Sequence, residues 1–318
     1  MKFHSDEGAE ASFGERWKEP GFVSGTDAER RDVAARPGSE RLVLLQPLGS
    51  RRPLFFVHAA GGNVFSYVAL ARHLGQDQPF YALQARGIKG EIEPHTRVEM
   101  MAADYVAAMR ATQAEGPYAL GGWSLGGVIA FEMAQQLQTQ GQQVALLVMF
   151  DSEAPHAAAA PPPENEQALL LAGFAVQLGL SLDQLTNVPE DFLSLDEKAQ
   201  LKYLLAEAKR SGALLPDFDL MRLEILFRVF KNNIQACQSY QPLTSTVPLV
   251  LFRAAEKVDE GFADATLGWG RLARGPFEVE EVTGNHFTML YEPHVSRLAE
   301  KLRARLAKLD QRINPATL

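Results

Sequence analysis

Short apolar runs alternate with helix-like segments through the first half of the chain. Between most of these runs the apolar residues recur with the spacing of a helix, for example at residues 63–74 and 98–113. A strand-helix-strand alternation of this kind predicts a mainly parallel sheet covered by helices on both faces. We expect the first two runs to form a strand pair at the sheet edge. The strand-like runs are residues 41–46, 54–57, 80–84, 118–120 and 144–150.

The alternation stops after Asp151. Residues 157–163 read Ala-Ala-Ala-Ala-Pro-Pro-Pro, which indicates a hinge-like connector, and only helical patterns follow until residue 247. Strand patterns resume at 247–252 and 277–282, and a last helical pattern covers residues 293–309. We therefore predict a flexible leader or linker at 1–40, an α/β core formed by 41–151 and 246–318, and an inserted helical lid at 152–245.

The strongest helical pattern of the insertion is an apolar stripe with steps of three and four residues. Its members are Leu220, Leu223, Phe227, Phe230, Ile234 and Cys237. The stripe packs on neighbouring helices, or else Leu223, Phe227 and Phe230 line an acyl-binding cavity beneath a lid. Both interpretations stay open at this point. We expect Cys237 to be a thiol of the core rather than a second nucleophile.

Composition and charge exclude several classes of function. The net charge is −8 and the pI is about 5.5, which argues against nucleic acid as a main partner, because phosphate binding needs a basic surface. No apolar stretch reaches the roughly 18 residues of a membrane span, and residues 1–10 are polar. The chain has one cysteine. We expect a cytoplasmic protein with an ordinary core, since 46% of its residues are apolar.

Ser124 lies between a strand-like and a helix-like segment. Its surroundings, Gly122-Trp-Ser-Leu-Gly126, match the G-x-S-x-G turn of a nucleophile elbow. The pentapeptide is a weak signal by itself, but the short buried run before it and the helical repeat after it give the expected context. Both glycines are predicted for steric reasons because the turn is tight. Ser124 is the predicted nucleophile, and it requires a base and an acid from elsewhere.

A serine, an acid and a histidine follow one another in the chain order of α/β-hydrolases. They are Ser124 at the elbow, Asp151 at the carboxyl end of an apolar run, and His286 in a loop after the last predicted strand. Open α/β sheets place their sites at such strand ends. The acid is not decided by this pattern alone. Glu256 and Asp259 follow a later strand, where many α/β-hydrolases carry theirs.

A second histidine, His58, follows a strand-like run and precedes Ala59-Ala-Gly-Gly62, where the oxyanion loop of a hydrolase belongs. We expect His58 to shape this loop, with a general-base role as the alternative. The predicted oxyanion hole consists of the backbone N–H groups of Ala59 and Leu125. The two glycines either let the loop approach closely or form an ordinary turn.

Five sequence blocks occur in an order that is specific when they are taken together. They read Phe56-Val-His-Ala-Ala-Gly-Gly, Gly122-Trp-Ser-Leu-Gly-Gly, Val148-Met-Phe-Asp, Phe252-Arg-Ala and Gly284-Asn-His-Phe-Thr-Met-Leu. Over roughly residues 40–310 the chain resembles the type I thioesterase domains that terminate nonribosomal peptide synthetases and polyketide synthases. The resemblance implies an α/β-hydrolase fold with a helical lid, and it favours Asp151 as the acid.

The resemblance also implies a reaction. Ser124 would take an acyl, peptidyl or polyketide chain from the phosphopantetheine thioester of an acyl or peptidyl carrier protein. Water, or a nucleophile within that chain, would then release it as an acid or a macrocycle. The carrier's arm brings the substrate, so no cofactor or metal of the enzyme's own is expected. Residues 1–40 show no carrier domain, which suggests an excised terminal domain or a stand-alone enzyme.

Two other functions compete with this one. The run Leu120-Gly-Gly-Trp-Ser-Leu also looks like the serine segment that accepts phosphopantetheine in carrier proteins, in which case Ser124 is a tether. An esterase that acts on small diffusible esters is the second alternative. The basic residues of the last helical pattern are expected to form a solvated face, with carrier docking as the alternative. They are Arg297, Lys301, Arg303, Arg305 and Lys308.

Overall fold

A computed structural model gives the structure of the protein. It describes residues 41–155, 165–180, 188–189, 191–256 and 264–313. The predicted leader, the connector at 157–163 and Asp259 lie outside these ranges.

Within the described residues, seven strands form one sheet in the order β1-β3-β2-β4-β5-β6-β7. β1 pairs antiparallel with β3, and all other neighbours pair in parallel. The predicted mainly parallel sheet is confirmed. The strands are β1 (Leu42–Gln46), β2 (Leu54–Val57), β3 (Phe80–Leu83), β4 (Tyr118–Trp123), β5 (Val144–Phe150), β6 (Leu249–Ala254) and β7 (Phe277–Val282).

The predicted pairing of the first two strands is wrong. β1 lies at the sheet edge, but β3 separates it from β2, which pairs with β3 on one side and β4 on the other. All four residues of β2 are buried, whereas β1 alternates between buried and half-buried positions. A fully apolar strand needs neighbours and cover on both sides, and an alternating one tolerates an edge.

Helices cover both faces of the sheet. A 3₁₀ turn at Phe65–Tyr67 precedes α1, and others lie at Phe192–Ser194 and Trp269–Arg271. None of the described helices is long and apolar enough to cross a membrane. The helices are α1 (Val68–Leu74), α2 (Val98–Arg110), α3 (Leu125–Thr139), α4 (Glu166–Gln177), α5 (Glu197–Arg210), α6 (Leu220–Ser239) and α7 (His294–Ile313).

The sheet separates two apolar cores. Side chains of a strand alternate between faces, so Phe55 of β2 joins one core and Phe56 the other. Helices α2 to α6 contribute to the first core and helices α1 and α7 to the second. Helices α4 to α6 follow one another between β5 and β6, the interval in which the sequence predicts an inserted helical segment.

The register of the parallel strands brings their carboxyl ends to one edge. Val57 pairs with Gly122, Trp123 with Phe150, and Phe150 also with Phe252. The residues that directly follow β2, β4 and β5 are His58, Ser124 and Asp151. These candidates, taken from distant parts of the sequence, meet at the edge where open α/β sheets carry their sites.

Only some of the five basic residues of α7 are exposed to solvent, and the others pair with acidic residues. The Lys301 ammonium lies 3.3 Å from a Glu280 carboxylate oxygen, and the Arg305 guanidinium lies 2.6 Å from Glu278 and also pairs with Glu280. Both glutamates belong to β7. Two of the five basic residues thus help to hold α7 against the last strand, while Arg297, Arg303 and Lys308 are exposed as expected.

Candidate active site

The backbone at Ser124 forms a strained turn between β4 and α3. Ser124 has φ 56° and ψ −127°, in a region that non-glycine residues rarely adopt. Its N–H donates to the Phe150 carbonyl at 3.0 Å, and its own carbonyl accepts from the Gly127 N–H at 3.1 Å. These bonds tie the turn to β5 and to the first turn of α3. Ser124 is thereby placed at the sheet edge, as an elbow requires.

Glycines at both sides of the serine allow the turn. A Cβ added to Gly122 would lie 2.2 Å from the carbonyl carbon of Gly126, which would force β4 and α3 apart. A Cβ added to Gly126 would lie 2.2 Å from the carbonyl oxygen of Val57 at the end of β2. Real Cβ atoms do not approach so closely. The steric reason predicted for both glycines is confirmed.

Asp151 and His286 form a hydrogen-bonded pair. One carboxylate oxygen of Asp151 lies 2.9 Å from His286 Nδ1, and the other accepts the Ala254 N–H at 2.8 Å. The side chains are 15% and 27% exposed, respectively. A carboxylate accepts hydrogen bonds, so His286 Nδ1–H donates to Asp151, and in the neutral form of the ring the lone pair is on Nε2. The lone pair of Nε2 is then available for another partner.

Glu256 and Asp259 were the other two candidates for the acid. Glu256 is exposed two residues beyond β6, where its N–H donates to the Gly284 carbonyl at 3.1 Å. Asp259 lies outside the described residues. Among the described acids considered for this role, Asp151 is the one whose carboxylate contacts His286.

Two aromatic rings hold the imidazole in place. Trp123 Nε1–H donates to the His286 carbonyl at 3.0 Å, and the two ring centroids are 5.4 Å apart. Phe287 meets the imidazole edge-on with centroids 5.1 Å apart. Because Trp123 directly precedes Ser124, this packing fixes His286 beside the elbow. Trp123 was not among the predicted site residues, although its position next to the nucleophile was a usable signal.

The predicted oxyanion donors lie on two segments that pack together. Leu125 is the first residue of α3, where N–H groups have no acceptor within the helix. Ala59 is buried in the loop after β2, here called the 58–62 loop. A Cβ on Gly126 would lie 2.8 Å from the His58 carbonyl oxygen, so the start of α3 is close against this loop.

The loop itself is a tight turn. The Ala59 carbonyl accepts the Gly62 N–H at 2.9 Å, and Gly62 has φ 79°. A Cβ on Gly62 would lie 2.6 Å from Val229 of α6. The segment is therefore a turn, and at Gly62 it also lies close against α6.

His58 is a neutral, fully bonded side chain. Its Nδ1 lies 2.7 Å from the Ala59 carbonyl oxygen, and its Nε2 lies 2.7 Å from the Tyr105 hydroxyl. The carbonyl only accepts, so Nδ1–H donates to it and the Tyr105 O–H donates to Nε2. Burial, partly offset by the bond to Ala59, lowers the pKa of His58 to about 4. These contacts favour the loop-shaping role over the general-base role.

Tyr67 links two strand ends and carries no sequence signal that points to this role. Its hydroxyl donates to the Val57 carbonyl at 2.6 Å and accepts the Trp123 N–H at 2.8 Å. Burial raises the pKa of this hydroxyl, which stays protonated at neutral pH. The end of β2, before the 58–62 loop, is thus joined to the end of β4, before Ser124.

The apolar stripe of α6 lies inside the helical insertion. Leu223, Phe227 and Phe230 are buried, and the Phe174 ring of α4 lies 5.0 Å from Phe227 and 5.6 Å from Phe230. Packing between helices thus accounts for the stripe, and a role in lining an acyl cavity stays a prediction. Burial raises the pKa of the Cys237 thiol to about 12, as suits a thiol of the core.

The carrier-protein alternative for Ser124 conflicts with the fold. A carrier domain is a small helical bundle, whereas Ser124 follows a central strand of a seven-stranded sheet.

In the part of the chain that the structure covers, there is no group of three or more His, Cys, Asp or Glu side chains that could hold a metal ion. The expectation that no cofactor is needed stays a prediction.

Comparison with known proteins gives consistent matches. The family model for the thioesterase domain matches residues 52–306. A dimodular nonribosomal peptide synthase of Bacillus subtilis (strain 168) is 32% identical over 308 residues, which are 96% of this chain and 12% of that protein. The chondramide synthase of Chondromyces crocatus is 33% identical over 282 residues, 87% of this chain and 7% of that one. The chain thus spans a small part of each synthase.

Solved structures agree with this result. A four-domain nonribosomal peptide synthetase bound to AMP and glycine superimposes with a TM-score of 0.75 and 30% identity, covering 83% of this chain and 20% of that one. The NocB thioesterase domain of the nocardicin cluster gives a TM-score of 0.61 and 25% identity, covering 84% of this chain and 99% of that one.

The state of His58 predicts an acid-dependent loss of stability. The folded pKa of about 4 lies below the ordinary value of 6.5, so the stability contribution is complete above pH 6.5 and falls as the pH drops towards 4. Between pH 7.5 and 5, wild type should lose about 2 kcal/mol of unfolding free energy more than His58→Gln does. Urea unfolding at the two pH values measures this difference.

A matched control uses a histidine at the surface. The His73 ring pairs with Glu292 at 2.5 Å, and His73→Gln should leave the acid-dependent loss in place. Parallel stability curves for wild type and His58→Gln would show that His58 is not held neutral by the fold.

Proposed function

The chain belongs to the thioesterase domain family, and we propose that it releases an acyl, peptidyl or polyketide chain from a carrier-protein thioester through an acyl-Ser124 intermediate. The observation that carries the proposal is the 2.9 Å hydrogen bond between Asp151 and His286, beside the strained elbow that bears Ser124. This bond directs the basic nitrogen of a neutral imidazole away from the carboxylate, which is what a serine nucleophile needs.

In the first half-reaction the Ser124 oxygen attacks the thioester carbon. His286 Nε2 takes the hydroxyl proton as the new C–O bond forms, and Asp151 stabilises the resulting imidazolium. The negative charge on the former carbonyl oxygen is met by the N–H groups of Ala59 and Leu125. The C–S bond then breaks, and the imidazolium gives its proton to the leaving sulfur of the phosphopantetheine arm.

In the second half-reaction His286 accepts a proton from water, or from a nucleophilic group within the bound chain, as that group attacks the ester carbon. The bond between the carbonyl carbon and the Ser124 oxygen breaks, and the proton passes from His286 to the serine oxygen. Water gives a free acid, and an internal nucleophile gives a macrocycle. Serine, histidine and aspartate return to their starting state, so no cofactor of the enzyme is consumed.

The partner is inferred from the substrate's form and from the relatives. A thioester on a phosphopantetheine arm requires an acyl or peptidyl carrier protein. The two relatives named above are a dimodular nonribosomal peptide synthase and a chondramide synthase, and this chain aligns with only 12% and 7% of their lengths. Such a relationship supports a carrier domain as the donor, on the same polypeptide or on another.

Replacing the nucleophile tests the proposal. Ser124→Ala should abolish covalent labelling by a fluorophosphonate probe and should reduce turnover of an N-acetylcysteamine thioester by about 10⁶-fold, because the variant lacks the hydroxyl that forms the acyl-enzyme. Gel fluorescence and a thiol-release assay measure the two effects.

Ser152 supplies the matched control, since its buried hydroxyl has no hydrogen-bond partner among the described residues. Ser152→Ala should therefore label and turn over like wild type. Persistent labelling of Ser124→Ala would refute the assignment of Ser124 as the nucleophile.

The esterase alternative would gain support if wild type hydrolysed simple oxygen esters as fast as thioesters of the same acyl group.

Replacing the acid tests the orientation of the base. Asp151→Asn should lower kcat by roughly 10⁴-fold, because an amide favours the wrong imidazole tautomer. Steady-state kinetics on the same thioester, with Glu256→Gln as a control that keeps near wild-type rates, measures the effect. If Asp259→Asn were the disabling change and Asp151→Asn nearly silent, the assignment of the acid would be wrong.

A further inference from the structure

Helix α6 reaches from the inserted segment to the 58–62 loop. The Asn233 side-chain amide donates to the Ala60 carbonyl at 2.9 Å, joining positions 173 residues apart. Val229, one turn earlier on the same helix, packs against Gly62. The helix of the proposed lid is thus attached to the loop that carries the predicted oxyanion donor Ala59.

The contact is specific to Asn233. This side chain is 2% exposed, and Ala60 is buried as well, so the hydrogen bond is shielded from water. The neighbouring Asn232 donates instead to the Arg228 carbonyl of its own helix at 2.9 Å. Two adjacent asparagines therefore differ in function, because one closes a bond within α6 and the other crosses to the loop.

Three carbonyls of this loop have hydrogen-bond partners, one of them within the loop and two outside it. The Ala59 carbonyl accepts from His58 Nδ1 and the Gly62 N–H, and the Gly62 carbonyl accepts the Ala85 N–H at 2.8 Å. The Ala60 carbonyl accepts from Asn233. Since a peptide group is planar, fixing the Ala60 carbonyl also fixes the Gly61 N–H. It thereby restrains the backbone two peptide groups after the one that carries the Ala59 N–H.

From this geometry we infer that Asn233 is a positioning residue for the oxyanion hole, and that α6 is a fixed wall of the active site. The inference rests on the proposed function, because an oxyanion hole matters only if acyl transfer takes place at Ser124. Loss of the Asn233 amide would free the peptide between Ala60 and Gly61 and let the loop shift. Displacements of about 1 Å at such a site cost up to roughly a hundredfold in rate.

The test compares Asn233→Asp with Asn233→Leu. The aspartate keeps the shape but turns an acceptor towards the Ala60 carbonyl, and the leucine keeps the approximate size without a donor. Kinetics with an N-acetylcysteamine thioester are normalised to the end-point stoichiometry of fluorophosphonate labelling, which counts folded active sites. We expect kcat per active site to fall roughly tenfold to a hundredfold with KM unchanged.

A pair of inhibitors separates positioning from general damage. A trifluoromethyl ketone adds to Ser124 and places an oxyanion in the hole, whereas a thioether analogue of the substrate binds without one. Both Asn233 variants should bind the ketone more weakly by the same factor as the loss in kcat, and the thioether as wild type does. Asn232→Asp, on the same helix, should match wild type in all three measurements.

Two results would overturn the inference. One is an unchanged kcat per active site, even with a lowered melting temperature, since the bond would then serve stability alone. The other is an equal loss of affinity for ketone and thioether. If Asn233→Asp does not fold, Asn233→Leu decides alone, and if neither folds, the bond is structural and the inference fails. Failure of the proposed function is distinct, because wild type would then not turn over the thioester.

Discussion

The hydrogen bond between Asp151 and His286 is the interaction on which the active site depends, and the sheet register makes it possible. It joins side chains 135 positions apart, one directly after β5 and the other in the loop after β7. The second carboxylate oxygen accepts the Ala254 N–H at the end of β6, so three neighbouring strands hold one carboxylate. A shift in the pairing of β5 with β6 would move Asp151 away from that N–H and from the imidazole. The packing that aligns these strands is therefore also what selects the histidine tautomer.

Around this pair, the site is held by neutral hydrogen bonds and local strain. Ser124 and Asp151 both have positive φ, with values of 56° and 41°, and such conformations persist only where the surroundings determine them. His58 and Tyr67 are buried without charge. Tyr67 connects two backbone groups at the ends of β2 and β4, and His58 connects the Ala59 carbonyl to the Tyr105 hydroxyl. Neutral groups suit this task because buried charges would need partners of their own. The site is thus organised before a substrate binds, as electrostatic stabilisation of an oxyanion requires.

Local pattern predicted the elements well, and the long-range contacts poorly. Continuous apolar runs predicted β2 and β5 with their observed bounds, and the strand-turn-helix context located Ser124 at the elbow. The order of the strands was not predicted correctly. The residues of β1 and β2 contain no local pattern that indicates that β3 lies between them. The roles of Tyr67 and Asn233 were missed for the same reason. Each depends on a side chain that bonds a distant backbone group, and such a bond leaves no periodic trace in the sequence.

The most direct measurement of the central claim is mass spectrometry of the protein after brief exposure to an acyl N-acetylcysteamine thioester and quenching in acid. The account predicts a mass increase equal to one acyl group, located by peptide mapping on Ser124 and chased away on longer incubation. The account would be contradicted if the thioester were consumed while no adduct was found at any time, both in wild type and in a variant with slowed deacylation. So would an acyl group found on another residue.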